Sequence, residues 1–264
     1  AQSTKTSSVS YSRTFPDIGL TLSSTFNVSQ STRDSTVSLT LPDLNINLNR
    51  IFPFKRKKAA GSERWYEKIS IQYTGQISNT ITAKEDYILK SNLARDWRNG
   101  WQHRIPIQAT FSLFNYINIT PSFNYTERWY LSKIKRSWDP QTQTVVRDTI
   151  NGFNRVYNYD FSISANTKLY GFYKPSPKIF GDKIEMIRHV FTPSVSYSMS
   201  PDFSKSRYGF YDTYTYTDEN GEVYTQKYSY YEGMLYGTAP QGKTGNINFS
   251  LSNNLEMKVK SDKD

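Results

Sequence analysis

Few side chains of this chain are suited to acid–base or metal chemistry. The two histidines, His103 and His189, stand far apart, and no Ser, Cys or carboxylate is spaced around them to form a triad or a metal site. They are read as structural or interfacial. The acid pairs Glu85-Asp86 and Asp218-Glu219 fall in polar stretches where Ca²⁺ binding or proton transfer is open to carboxylates, but nothing fixes either role. The absence of Cys removes disulfides and thiolate metal sites. No Gly-rich phosphate loop of the Walker or Rossmann kind occurs. The dense run Lys55-Arg56-Lys57-Lys58 and a net charge of +10 raise the question of nucleic acid. No reader motif accompanies the run, and the other charges are dispersed. The expectation is a protein that is not an enzyme and has no cofactor, no metal and no nucleic-acid partner. The chemistry left is that of single cations and aromatic rings presented by a surface.

That surface is built by alternation. From Trp101 to Leu131, Ile105, Ile107, Ala109, Phe111 and Leu113 alternate with Arg104, Pro106, Gln108, Thr110 and Ser112. After a tight Phe114-Asn115-Tyr116 corner, Ile117, Ile119, Pro121, Phe123, Tyr125, Trp129 and Leu131 alternate with Asn118, Thr120, Ser122, Asn124, Thr126 and Arg128. A period of two over such lengths predicts a hairpin of long strands with one apolar and one polar face. Similar strands are predicted around Leu20–Val28, Ile69–Ile81, Tyr157–Leu169, Ile187–Ser200 and Ile247–Val259. In Val37–Leu48 the apolar parity flips after Pro42-Asp43, which predicts a bulge. A short strand is expected at Val9–Arg13. Ala83–Gly100, Ser132–Arg155 and the Tyr-rich stretch at about 201–245 are read as long loops, the last with its own hairpin on a type I′ turn at Asn220-Gly221. The total is roughly eight or nine long strands and no convincing helix.

The composition agrees with thinly spread apolar surface. Hydrophobic residues make up 36% of the 264 and aromatics 16%, including 21 Tyr, and the mean hydropathy is −0.68. No apolar run approaches the roughly twenty residues of a membrane helix. Strands whose alternate residues face lipid and lumen have this signature. The predicted fold is all-β, an antiparallel transmembrane β-barrel of which residues 1–264 form a part. Ile107, Phe111, Ile119, Phe123, Phe161, Ile163, Phe249 and Leu251 are assigned to lipid. Trp65, Trp101, Tyr116 and Trp129 fall near strand ends and are assigned to the membrane interface. Arg104, Arg128, Lys168, Lys258 and Lys260 are assigned to the lumen, whereas Glu127, His103 and His189 break the pattern near strand ends. With the Phe114 corner taken as periplasmic, the three long loops share the extracellular rim.

Several stretches resemble the barrel of the LptD family of outer-membrane lipopolysaccharide-assembly proteins, in a divergent, Cys-free form. They are Ser38–Lys57 (SLTLPDLNINLNRIFPFKRK), Arg64–Lys68, Asp96–Pro106 (DWRNGWQHRIP), Ile119–Trp129 (ITPSFNYTERW), Lys168–Tyr173, Ile187–Val195 (IRHVFTPSV) and Asn253–Lys260 (NNLEMKVK). The resemblance implies a bacterial outer-membrane location and a large barrel holding a plug lipoprotein of the LptE kind. Such a barrel takes lipopolysaccharide from periplasmic bridge proteins and releases it among outer-membrane lipids through a lateral opening. The lipid-accepting domain, opening strands and closing strand of the family are not recognisable, so the expectation is a middle portion of the barrel. Alternation alone leaves two alternatives open: another outer-membrane transporter or porin, and a secreted β-sandwich adhesin or glycan-binding protein.

Overall fold

The computed structural model describes residues 4–58, 61–181 and 183–260. Its main feature is one continuous antiparallel sheet. The strands are β1 (Thr4–Phe15), β2 (Leu20–Ser31), β3 (Thr36–Ile51), β4 (Ser70–Lys84), β5 (Arg98–Gln108), β6 (Phe111–Leu113), β7 (Ile117–Asp139), β8 (Thr144–Thr167), β9 (Leu169–Tyr173), β10 (Ile184–Ser200), β11 (Tyr211–Thr217), β12 (Val223–Ser229) and β13 (Thr244–Val259). The long strands lie in the order β1-β2-β3-β4-β5-β7-β8-β10-β13, with the short β6 and β9 continuing β5 and β8 against β7 and β10. Every chain-adjacent pair is an up-and-down neighbour, so β1 and β13 are free edges and the sheet is open. Helix among the described residues is limited to single turns such as Glu85–Ile88 and Pro177–Phe180.

Register carries the two faces across the sheet. Ile107 stands opposite Phe123, which stands opposite Phe161, which stands opposite Met199. Ile119 opposes Ala165, then Val195, then Phe249. One residue over, Arg104 opposes Thr126 and Asn158, and Ser122 opposes Ser162 and Ser198. A shift of one residue would exchange the faces, so burial of either face in a different solvent specifies the register. The parity flip in β3 is a register shift between Thr40 and Asp43, which puts Leu39 and Leu44 on the same face although they are an odd five positions apart. Among the described residues no second sheet covers the apolar face; Phe249 is 80% exposed and Leu251 68%. A β-sandwich would bury that face against a partner sheet.

The turns alternate between two rims. The rim of the Phe114 corner also carries residues 16–19, 52–58, 61–69 and 174–181. The opposite rim carries 32–35, 85–97, 140–143 and 201–243.

Three sequence expectations are corrected. Ser132–Arg155 is not a loop: β7 and β8, 23 and 24 residues long, continue as a paired ribbon to a tip at 140–143. Asp139-Pro140 makes that tip, with Asp139 accepting from Gln141 N at 2.9 Å and Thr142 Oγ1 at 2.8 Å. Asn151-Gly152 produces a bulge, seen as a register shift between Tyr130 and Ser132 with Gly152 at φ 152°, and pairing continues on both sides of it. The short strand at Val9–Arg13 is β1, 12 residues long, because Ser and Thr pair with β2 as well as apolar residues do. The turn at Asn220-Gly221 is not type I′, which needs positive φ at both positions; only Gly221 has it, at 83°, and Asp218 closes a wider loop by accepting from Asn220 N and Glu222 N.

The conventional core is not within the sheet. Tyr130 and Val156, on the polar face, pack with Phe203, Phe210, Tyr231 and Ala239 of the 201–243 excursion. The excursion's β11–β12 hairpin and the residues just after it lie along the free edge of the ribbon: Arg136 N donates to Tyr228 Oη at 3.0 Å, Ile134 N donates to Tyr230 O at 2.8 Å, and Arg136 pairs with Glu232 at 2.9 Å. Tyr130 Oη donates to Gly237 O at 2.7 Å and Tyr211 Oη to Ala239 O at 2.6 Å. Asp202 ties the excursion's two ends by accepting from Ser204 N and Oγ and from Gly242 N. Those donors hold its carboxyl down at about 2.

Candidate functional surfaces

The polar face is hydroxyl, amide and cation chemistry satisfied across strands. Ser122 Oγ and Ser162 Oγ meet at 2.6 Å, and Asn124 Nδ2 donates to Asp160 Oδ2 at 2.8 Å. Of the five cations assigned to this face, Arg104 is exposed between Thr74 and Thr126. Arg128 is engaged: its Nε donates to Tyr236 O at 2.8 Å and its Nη1 to Asn158 Oδ1 at 2.7 Å. Lys168 lies at the β8–β9 junction and Lys260 just past β13, both exposed. Lys258 pairs with Glu185 at 2.6 Å near the Phe114 rim. Arg104 and Arg128 thus belong to the middle and upper part of the face, and the three lysines to the lower edge.

The eight residues assigned to lipid share the other face through the pairings above, with Phe111 opposite Ile119 and Ile163 opposite Tyr197. The aromatics divide between the rims. Trp65 (68% exposed) sits in the single turn Trp65–Lys68 before β4, and Tyr116 (78%) closes the corner. Trp101 and Trp129 stand opposite each other toward the far rim, ring centroids 4.9 Å apart. From Ile117 to Trp129 is twelve residues along β7. At about 3.4 Å per residue and a tilt of about 45° that spans about 29 Å, close to the ~25 Å apolar band of outer-membrane barrels.

The residues that break the alternation are gathered on this apolar face. Glu127 stands opposite His103 on one side and Tyr157 on the other. Its carboxylate accepts from Tyr125 Oη, from Trp129 Nε1 at 2.6 Å and from Arg155 Nη2 at 3.0 Å, and Arg155 Nε completes the ion pair. The His103 ring lies between Trp101 and Trp129, at 4.7 and 4.3 Å, with Nδ1 2.8 Å from Tyr73 Oη. Arg155 also covers the Tyr157 ring at 5.2 Å. A charge on a lipid face costs least near the interface and when paired. Sequence reasoning missed Arg155, which it placed in a loop. The signal was Glu127 itself, an acid at apolar parity that requires a cation within reach.

A second regularity was also missed. Each histidine stands opposite a glycine, His103 opposite Gly75 and His189 opposite Gly171. Each glycine is covered by a tyrosine two residues away on the same face, Tyr73 or Tyr173. A Cβ at Gly75 would meet Tyr73 Oη at 2.5 Å. Gly75→Val is expected to swing Tyr73 away and leave His103 Nδ1 without its partner, costing about 1–3 kcal/mol. A lowered urea midpoint of the reconstituted barrel, with Gly75→Ala intermediate, is the measurement; an unchanged midpoint would show that the tyrosine lid is incidental.

At the Phe114 rim the basic run is part of an ordered frame. Glu67 is 2% exposed and accepts from Arg56 N, Nε and Nη2 and from Arg64 N, at 2.7–3.0 Å. The Arg56 guanidinium and the two backbone amides hold its carboxyl down at about 2.

The family model LptD_2, described as LptD protein, matches residues 1–264. No curated protein and no solved structure matches the chain. The match spans every strand of a sheet whose faces are already those of a barrel wall. The chain belongs to the LptD protein family.

Proposed function

We propose that this chain forms part of the wall of an outer-membrane lipopolysaccharide-assembly barrel that inserts lipopolysaccharide into the outer leaflet. Membership of the LptD family brings a role in lipopolysaccharide transport at the outer membrane. The observation that carries the reading is the single sheet with one polar, cation-bearing face and one apolar face edged by aromatics at both rims. The polar face is the lumen, where Arg104, Arg128, Lys168, Lys258 and Lys260 meet phosphorylated saccharide or a plug lipoprotein of the LptE kind. The apolar face is the lipid side. The Phe114 rim is periplasmic and faces the bridge proteins that deliver lipopolysaccharide; the rim with the ribbon and the 201–243 excursion is extracellular.

Photo-crosslinkers at Thr126 and Ser164, on the polar face, are expected to capture plug or saccharide. Crosslinkers at Phe123 and Ile163 are expected to capture lipid. Lipid adducts at Thr126 and Ser164 would overturn the assignment of faces.

A further inference from the structure

We propose that a pocket at the Phe114 rim, between the basic loop and the polar face, is an entry site for a phosphate group on the saccharide of the incoming glycolipid. The proposal rests on the reading of this chain as a lipopolysaccharide carrier with that rim in the periplasm. The cavity has a volume of about 350 Å³ and is lined on the sheet side by Ser70, Gln108 and Thr110. Those three have the parity of the polar face. Its volume lies within the ~300–1,000 Å³ of small-molecule sites.

The charges at this pocket do not cancel. Arg50, Lys55 and Lys68 line it together with Glu63 and Glu67. Glu67 is spent on Arg56, at 2.7 Å, and on two backbone amides. Glu63 is spent on Lys55, at 3.1 Å. Among the described residues no ion pair engages Arg50 or Lys68. Two free cations therefore remain beside the amide of Gln108 and the hydroxyl of Thr110. Arg supplies a planar fork and Lys a point charge, and both suit phosphate oxygens. Lys57 and Lys58, exposed in the same loop, add a positive field that raises the local concentration of an anionic headgroup. The buried Glu67–Arg56 pair is what makes the loop a fixed wall: it ties the basic run to the turn that leads into β4. The pocket thus combines a rigid frame, unspent positive charge and hydrogen-bonding groups at the mouth of the lumen.

The test uses the full-length barrel with its plug in lipid nanodiscs and a photo-crosslinker at Thr110. The probes are lipopolysaccharide, the same lipopolysaccharide chemically dephosphorylated, and inorganic phosphate as competitor. Adduct with the phosphorylated glycolipid is expected. It should fall about tenfold with the dephosphorylated probe and about tenfold in Arg50→Gln/Lys68→Gln. Arg50→Lys/Lys68→Arg, which keeps both charges, should restore most of it and controls for folding. Equal capture of the two glycolipids, or no effect of Arg50→Gln/Lys68→Gln, would overturn the proposal. Loss of the adduct in the presence of physiological inorganic phosphate would overturn the glycolipid assignment in favour of a free-anion site. Glycolipid adducts at Thr126 and Ser164 without one at Thr110 would sink the pocket and leave the transport reading standing; no glycolipid adduct at any of the three would sink both.

Discussion

Phe203→Ala should release the 201–243 excursion from the barrel wall. Phe203 is fully buried, with ring centroids 5.2 Å from Tyr159 and 5.0 Å from Tyr208. It joins the excursion to Tyr130 of β7 and Val156 of β8, at the base of the ribbon. Truncating a buried Phe costs about 3–5 kcal/mol, as lost transfer free energy and as the cavity left behind. The cost falls on one small cluster rather than on a large core, so local opening absorbs it while the β-ladder stays paired. Trypsin cleavage at Lys205, Arg207 and Lys227 is expected to accelerate by at least about a hundredfold. Heat-modifiable migration of the barrel should not change. The carbonyls of Tyr236 and Gly237 would then leave Arg128 and Tyr130, freeing the Arg128 guanidinium for solvent or cargo. Unaltered proteolysis would mean that the hairpin contacts to Ile134 and Arg136 hold the excursion without the aromatic cluster.

Glu127→Ala carries the second large effect, and here the barrel itself should weaken. Three donors lose their acceptor at once: Tyr125 Oη, Trp129 Nε1 and the Arg155 guanidinium. Arg155 is left as an uncompensated cation on the apolar face. Breaking one partner of a buried pair costs about 3–5 kcal/mol. The Arg155 side chain is 55% exposed and sits toward a rim, where water and headgroups reduce the penalty, so about 2–3 kcal/mol is expected. Glu127→Ala/Arg155→Ala should recover more than half of the loss, because the orphaned charge is gone. Urea midpoints of the reconstituted full-length protein measure both variants. Strict additivity of Glu127→Ala and Arg155→Ala would show that the two side chains do not act as a pair.

How much of this was legible in the chain depends on range. Alternation such as Ile105–Leu113 against Arg104–Ser112 determines strand, face and the barrel class, because a period of two needs no knowledge of neighbours. Pro42-Asp43 revealed the β3 bulge for the same reason: a parity flip is local. The ribbon over 132–151 escaped because Lys133, Lys135, Arg136, Arg147 and Asp148 interrupt any apolar stripe. Its strands are held by their mutual ladder and by the Asp139 tip, and a ladder uses backbone groups that leave no side-chain pattern.

The pairing of Glu127 with Arg155 required residues 28 positions apart to be brought together, as did the Tyr73–His103 bond and the contact of Arg128 with Tyr236. The sequence by itself determined which residues share a face and which of the two faces is apolar, since that follows from alternation. Only the tertiary structure decided which charges are spent and which are free, because neutralisation of one side chain by another is a matter of distance across the sheet. Spacing along a strand cannot record it.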